Sequence, residues 1–396
     1  MSATKKSHFF LTLVLTVCVM APLSNGMFLA SLSNIGQWFH TTSSSLVLTI
    51  FMLGLAVSQL FYGPLLDRFG RKPVLMVGLV IYILSSVLAM RSSSFHMLLM
   101  ARFFQGVGVC GTFVSVMAIA RDSYHEDQLV KKMSMIMAMI GVCPLIAPLF
   151  GGYLQAHFGW QGSFVFLLIL SLVYLLIVSF CFRESLAEKN HQALQLKHLF
   201  NNYKALVSIP AYQGYIITSA CSYGILFAYG AAGAIIMMEH YHLSPVAYGW
   251  VFSINTIAIL VMSVLAPRLV KRLGLTKLLM LGASLLLLGT LATLILNSIF
   301  TPTLILLLIP MWVATVGVAC VRPTASSGAM SVSPKKIAGS SAAVFNFVSF
   351  VGGSISTYIV SLLHLTIVNF AVEGVVLACI AIIFSLRAHR ATVDKK

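Results

Sequence analysis

Two ionisable side chains lie deep inside apolar stretches of this 396-residue chain, Arg102 and Glu373. Moving a charge from water into hydrocarbon is costly, so such residues persist where they bind, couple or gate. Arg102 can hold a substrate anion or join a coupling relay; the alternative is a structural hydrogen-bond hub. Glu373 can carry a proton, or it can be a satisfied polar residue packed near Ser354 or Ser356, which lie at similar depth. Glu239 falls at the end of its run, in the interface. Arg322, followed by Pro323, is placed where its side chain can snorkel to the surface. Asn25, Gln59, Gln105, Tyr223, Tyr229, Asn255 and Asn346 interrupt other apolar runs. They are candidates to line an internal cavity, with interhelical hydrogen bonding as the competing role.

A second constellation is the stretch Gly63-Pro64-Leu65-Leu66-Asp67-Arg68-Phe69-Gly70-Arg71-Lys72-Pro73. Its glycines allow a tight turn at close helix approach, and Asp67 amid Arg68, Arg71 and Lys72 forms a charge cluster able to lock that turn. Pro144, Pro148, Gly151 and Gly152 mark a further segment where helices can approach closely and pivot. No Gly-rich phosphate loop, nucleophile–base pair or metal-ligand cluster is present, so neither an enzyme nor a bound cofactor or metal is expected. The seven cysteines lie within apolar runs without a CxxC pair and read as packing residues.

These residues must be positioned by a membrane. The chain is 59% hydrophobic and 9% charged, with a mean hydropathy of +0.97, which excludes an ordinary soluble domain. A net charge of +16 would suggest nucleic acid in a soluble protein. Here the basic residues fall instead at the termini and in alternate short gaps between a dozen apolar runs. They cluster at Lys5–Lys6, around Arg68–Lys72, Arg121–Lys132, Arg183–Lys204, Arg268–Lys277, Arg322–Lys336 and Arg387–Lys396. The intervening gaps hold only Arg91. Cytoplasmic loops retain Lys and Arg, so both termini are expected in the cytoplasm.

Each run is about 20 residues, enough to cross about 30 Å of hydrocarbon as a helix. The expected spans are 9–30, 45–66, 73–91, 97–120, 133–155 and 163–182, then 210–238, 246–267, 276–296, 303–322, 338–361 and 366–387. The expectation is an all-α membrane protein of two six-helix parts, residues 1–182 and 210–396, with 183–209 as a cytoplasmic linker. The N-terminal run imitates a secretory signal but lacks a clear A-x-A site, and it is expected to be retained. A weak parallel repeat supports duplication: Gly70 and Gly78 match Gly274 and Gly282 at one offset.

The Gly63–Lys72 stretch resembles the major facilitator superfamily signature G-x-L-x-D-R-x-G-R-K. Arg102-Phe103-Phe104-Gln105-Gly106-Val107-Gly108 is similar to that superfamily's R-x-x-Q-G-x-G motif, and Gly141 to Gly152 to its antiporter-associated Gly/Pro motif. Ala101–Gly106, Ala120–Tyr124, Ala147–Gly152 and Phe182–Leu186 resemble the Bcr/CflA-type drug-resistance transporters. The resemblance implies a twelve-helix fold, alternating access and proton-driven drug efflux across a bacterial inner membrane. It assigns gating roles to Gly63, Asp67, Arg68, Gly70, Arg71, Arg121, Pro144, Pro148, Gly151 and Gly152. Such relatives use the arginine matching Arg102 in gating. One departure is plain: the usual acidic residue of span one is replaced by Gly26, and spans one to six hold no carboxylate. With Arg102 present, a net positive cavity favouring anions is therefore a second expectation, for uptake or export of an anionic metabolite or siderophore. A receptor or assembly role would need a larger loop or tail. The expected partners are a small-molecule substrate, protons and lipid, with the chain acting as a monomer.

Overall fold

The computed structural model describes residues 11–124, 126–186, 188–190, 194–362 and 366–393. Lys5, Lys6, Lys395 and Lys396, invoked above for the position of the termini, lie outside them. Among the described residues, twelve helices are long and apolar enough to cross a membrane. Span one covers Leu11–Trp38. The next five are Leu46–Phe69, Arg71–Met90, Phe95–Ser123, Glu126–Phe158 and Gln161–Cys181. A linker helix, Leu196–Val207, precedes span seven, Pro210–His240, and span eight, Pro245–Leu273. Spans nine to twelve are Leu275–Ile299, Leu304–Val332, Ala338–Leu362 and Ile367–Val393. No strand occurs among the described residues. Large apolar side chains such as Leu84, Ile169 and Phe180 point outward, as a lipid solvent permits.

Several boundaries differ from expectation, most of all at the ends of spans one and ten. Span one continues past residue 30 to Trp38, but it is broken. Pro22 cannot donate to the carbonyl of residue 18, and the turn just before it, Thr16–Val19, tightens to 3₁₀ geometry. Span ten continues past 322 to Val332. Pro323 and the small polar residues after it resemble a helix stop, yet a buried transmembrane helix tolerates both. Arg322 therefore sits about 15 Å from the end of its helix, at 1.5 Å per residue, and not at the surface.

The internal repeat recurs in the backbone. Gly70 and Gly274 each join two spans in a single residue with φ of +106° and +84°, a conformation that a side chain would strain. One turn pair further on, Gly78 packs against Gly108, and Gly282 against Gly317. A Cβ on Gly78 would lie 2.9 Å from the Gly108 oxygen, and one on Gly282 3.0 Å from the Gly317 oxygen. Spans three and four, and spans nine and ten, are thus held at backbone contact by matching glycines.

Candidate functional site

The first six spans meet the last six along two seams, span two against eleven and span five against eight. The end of the molecule bearing the Arg68–Lys72 turn is here termed the basic end. At the opposite end the span two seam is closed: Thr49 Oγ1 donates to Thr357 Oγ1 at 2.8 Å, and Ser354 Oγ to the Thr49 oxygen at 2.9 Å. Ser33 Oγ of span one donates to Glu239 Oε1 of span seven at 2.8 Å. Towards the basic end the same seam opens, since a Cβ placed on Gly63 or Gly339 would meet nothing within 4 Å.

The second seam follows the same gradient. A Cβ on Gly152 would collide with the Pro245 oxygen, and one on Gly249 would lie 2.7 Å from the Pro148 oxygen. Near Gly141, closer to the basic end, the nearest atom is Leu260 Cδ1 at 4.0 Å. Proline supplies part of the adhesive. Pro148 has no N–H, so it leaves the Pro144 carbonyl without a helical donor. Thr256 Oγ1 of span eight donates to that oxygen at 3.2 Å, shared with its own Ser253 oxygen at 2.9 Å. Gly151 presses on the Met27 backbone and completes the contact of span five with span one.

Arg102 is fully buried within the first six spans. Its Nη1 donates to Gln105 Oε1 at 2.9 Å, its Nε to the Val47 oxygen and its Nη2 to the Ser24 oxygen, both at 3.3 Å. The guanidinium carbon lies 4.3 Å from the Phe28 ring centroid and 4.2 Å from that of Phe51. Gln105 passes the network on, donating through Nε2 to Ser86 Oγ at 2.8 Å. In this conformation Arg102 ties spans one, two and four together and presents no charge to the cavity. Gly26 is equally informative, since a Cβ there would lie 2.7 Å from Ala147 Cβ. The position usually acidic in relatives has no room here for a carboxylate.

Glu373 is buried in span twelve, and Ser356 Oγ of span eleven donates to its Oε1. Its Oε2 has no partner among the described residues. Asn255 donates through Nδ2 to Thr315 Oγ1 at 2.9 Å and leaves its Oδ1 unpartnered. The Tyr229 hydroxyl is also unpartnered, its ring lying 5.8 Å from Phe252 and 6.2 Å from Phe370. Asn25 and Asn346 are partly exposed on spans one and eleven. The sequence candidates therefore do not form one cluster: Arg102 and Gln105 belong to a sealed network, while Glu373, Asn255 and Tyr229 lie between the later spans.

The turn between spans two and three separates the charges that the motif brings together. Arg71 is nearly sealed at 3% exposure; its Nη1 lies 2.9 Å from Asp67 Oδ1 and its Nε 2.7 Å from Asp122 Oδ2. Arg68 instead lies over the Phe69 ring, and Lys72 Nζ donates to the Ser179 oxygen at 2.9 Å. Arg121 is 69% exposed, with its Nε 4.0 Å from Asp122 Oδ1. Glu184, from the stretch after span six, accepts from Arg71 N at 2.9 Å and Lys72 N at 3.1 Å. A carboxylate there satisfies orphan donors at the start of span three and faces the positive end of its dipole. Partial burial works to raise the Glu184 carboxyl, but the N–H groups of Leu186, Arg71, Lys72 and Ser185 outweigh it and hold it below its ordinary range.

Sequence reasoning missed Glu184 as a cap and Arg322 as a residue well inside its span. Arg322 Nη2 donates to the Tyr223 hydroxyl, and its Cζ lies 4.5 Å from the Tyr223 ring centroid. It also missed the partners of proline-freed carbonyls, for which a signal exists four residues before each proline. Pro64 frees the Leu60 oxygen, which accepts from the Tyr203 hydroxyl of the linker helix at 2.7 Å. Pro310 frees the Leu306 oxygen, which accepts from Asn297 Nδ2 at 3.1 Å.

A bundle of twelve spans meeting along two seams, closed at one end and parted at the other, has the architecture of a secondary transporter. Residues 14–357 match the model of the Major Facilitator Superfamily, and the chain belongs to that family. It is a membrane transporter and not an enzyme. It is 28% identical to a bicyclomycin resistance protein homolog of Haemophilus influenzae over 363 residues, 90% of this chain and 89% of that one. It is 28% identical to multidrug resistance protein D of Escherichia coli over 60% of this chain and 59% of that one. Among solved structures, an inward-facing, unoccupied bacterial homolog of the lysosomal transporter Spinster superposes with a TM-score of 0.76 at 14% identity, covering 100% of this chain and 99% of that one. A peptide transporter in complex with alafosfalin superposes at 0.77 and 15% identity, over 96% of this chain and 95% of that one. At such identities these two likenesses speak for the fold.

Proposed function

We propose that the chain exports drugs or metabolites across a bacterial inner membrane by alternating access, with protons as the coupling ion. The carrying observation is the gradient along both seams, closed opposite the basic end and parted towards it. Taking the basic end and both termini as cytoplasmic, this is the state that receives a molecule from the cytoplasm. Residues 1–182 and 210–396 then rock against each other about a site near the midplane, joined by 183–209. Export as the direction rests on the resistance proteins among the relatives. The chain works as a monomer without a bound cofactor.

In this reading Glu373 replaces the missing span-one carboxylate. It is the one acidic residue placed well inside a span, and among the described residues only Ser356 holds it. A buried carboxylate with a single hydroxyl donor can exchange a proton without breaking an ion pair. The test is dye or drug flux in proteoliposomes under an imposed pH gradient. Wild type responds to the gradient, and Glu373→Gln transports at a rate independent of it. A variant that keeps the full gradient response removes Glu373 as the carrier.

A further inference from the structure

Arg322 stands in contrast to Arg102. Among the described residues its guanidinium makes one hydrogen bond, to Tyr223, and pairs with no carboxylate. A guanidinium has five N–H donors in a planar fork, so most of this one is free. The side chain is only partly buried, although it stands well within the span.

Its surroundings place it near the seam of spans two and eleven. Met52 of span two presses on Gly353 of span eleven, and Phe227 of span seven lies 3.0 Å from a Cβ placed there. This contact is part of the closed seam. Tyr223 is one turn from Phe227 towards the basic end, and Phe350 one turn from Ser354 in the same direction. The Tyr223 ring lies 5.6 Å from Phe227 and 5.5 Å from Phe350, centroid to centroid. Asn346, partly exposed, follows one turn beyond Phe350. Arg322 thus stands on an aromatic wall just inside the seam, on the side that is open.

We infer that Arg322, backed by Tyr223, is an anion-recognition site of the cavity, and that it takes organic carboxylates with an aromatic or alkyl body. This rests on the transport reading above and specifies its substrate class. The fork matches a carboxylate in a bidentate manner, and Tyr223, Phe227 and Phe350 offer faces for an apolar body. Among the described residues no carboxylate of spans one to six pairs with the guanidinium; Asp67 and Asp122, near the ends of spans two and four, are held by Arg71. Glu373 is engaged on a different contact, since Gly224, next to Tyr223, packs against its partner Ser356.

The test uses two dyes built on one xanthene ring: fluorescein, an aryl carboxylate, and rhodamine ethyl ester, a cation. Binding to purified full-length protein is read by fluorescence anisotropy, and transport in proteoliposomes. Wild type is expected to bind fluorescein. Arg322→Gln is expected to lower the fluorescein-to-rhodamine affinity ratio about ten- to hundredfold, the range for losing a charged hydrogen-bond donor. Arg322→Lys is expected to recover part of it, which a merely misfolded variant would not do. An unchanged ratio in Arg322→Gln overturns the site. A wild type that transports the rhodamine ester but does not bind fluorescein overturns it too, and leaves the transport reading standing. A wild type that handles neither dye overturns both.

Discussion

The bond between Tyr203 and the Leu60 oxygen is the sharpest place to test how prolines organise this bundle. Pro64 supplies no N–H to the carbonyl four residues before it, so that oxygen must find a donor elsewhere. The linker helix provides one, the Tyr203 hydroxyl at 2.7 Å. Tyr203→Phe removes the donor and little else. A neutral hydrogen bond of this kind is worth about 1 kcal/mol net, and partial exposure of Tyr203 allows water to replace some of it. The opening constant of the linker helix, Leu196–Val207, should then rise about fivefold. Hydrogen exchange of its amides, read by mass spectrometry in detergent, measures that constant directly. The control is Pro64→Ala, which restores a backbone donor for the Leu60 oxygen within span two. In that background Tyr203→Phe should change exchange by less than about twofold, because the carbonyl no longer depends on the linker. An equal rise in both backgrounds would refute the reasoning, as would no rise in the first.

Glu184→Gln should lower the melting temperature at neutral pH, with a cost on the order of 1 kcal/mol for weakening a charged cap. Glu184 is held below its ordinary range in the folded protein, so its contribution is complete above that range and disappears as pH falls through the depressed value. The difference in melting temperature between wild type and variant should therefore be flat from about pH 8 to 6 and close under acid, below about pH 4; a difference that grows on acidification contradicts the sign. Gly106→Ala should destabilise by about 1–3 kcal/mol, because a Cβ there would strike the Phe51 oxygen and lie 2.8 Å from Leu55 N. Gly63→Ala should leave the melting temperature unchanged or raise it, since its Cβ would meet nothing within 4 Å, and a clear loss would contradict the open seam.

Much of this architecture is legible in residue types because a membrane enforces them. Span positions follow from hydrocarbon thickness, and the alternation of basic gaps from the cost of carrying charge across. The glycines at 70 and 274 announce themselves through a repeat, and each adopts a backbone that only glycine holds without strain. The site was less legible, for a physical reason. Depth along a helix can be counted, but the face a residue presents cannot be read when every face is apolar. Arg102 and Arg322 look alike in sequence, a single arginine in an apolar run. Arg102 is sealed because Phe28, Phe51 and Gln105 converge on it from three spans. Arg322 remains partly exposed because span ten continues beyond it, contrary to what Pro323 suggests, and places it beside a parted seam.

The prolines show how such a fold can be both committed and mobile. In water, a carbonyl deprived of its helical donor finds solvent; in hydrocarbon it must find protein. Each proline inside a span thus creates an acceptor four residues earlier that asks for a partner from another element. At Leu306 the partner is Asn297 of the adjacent span nine, a bond within the last six spans that can persist through the cycle. At Pro144 the partner is Thr256, across the seam, and that proton is already shared with the Ser253 oxygen. An acceptor with a shared, replaceable donor makes a seam that closes favourably yet parts at small cost, since membrane hydrogen bonds of this kind are worth about 0.6 kcal/mol on average. Without Pro148 the Pro144 carbonyl would already hold a helical donor and depend less on Thr256, as the Leu145 oxygen does, which accepts from Ser253 Oγ of span eight beside its own helical bond. A charged pair in its place would make the seam too costly to open in a low dielectric. The Gly/Pro segment of span five lies between those limits, where alternation between two states remains possible.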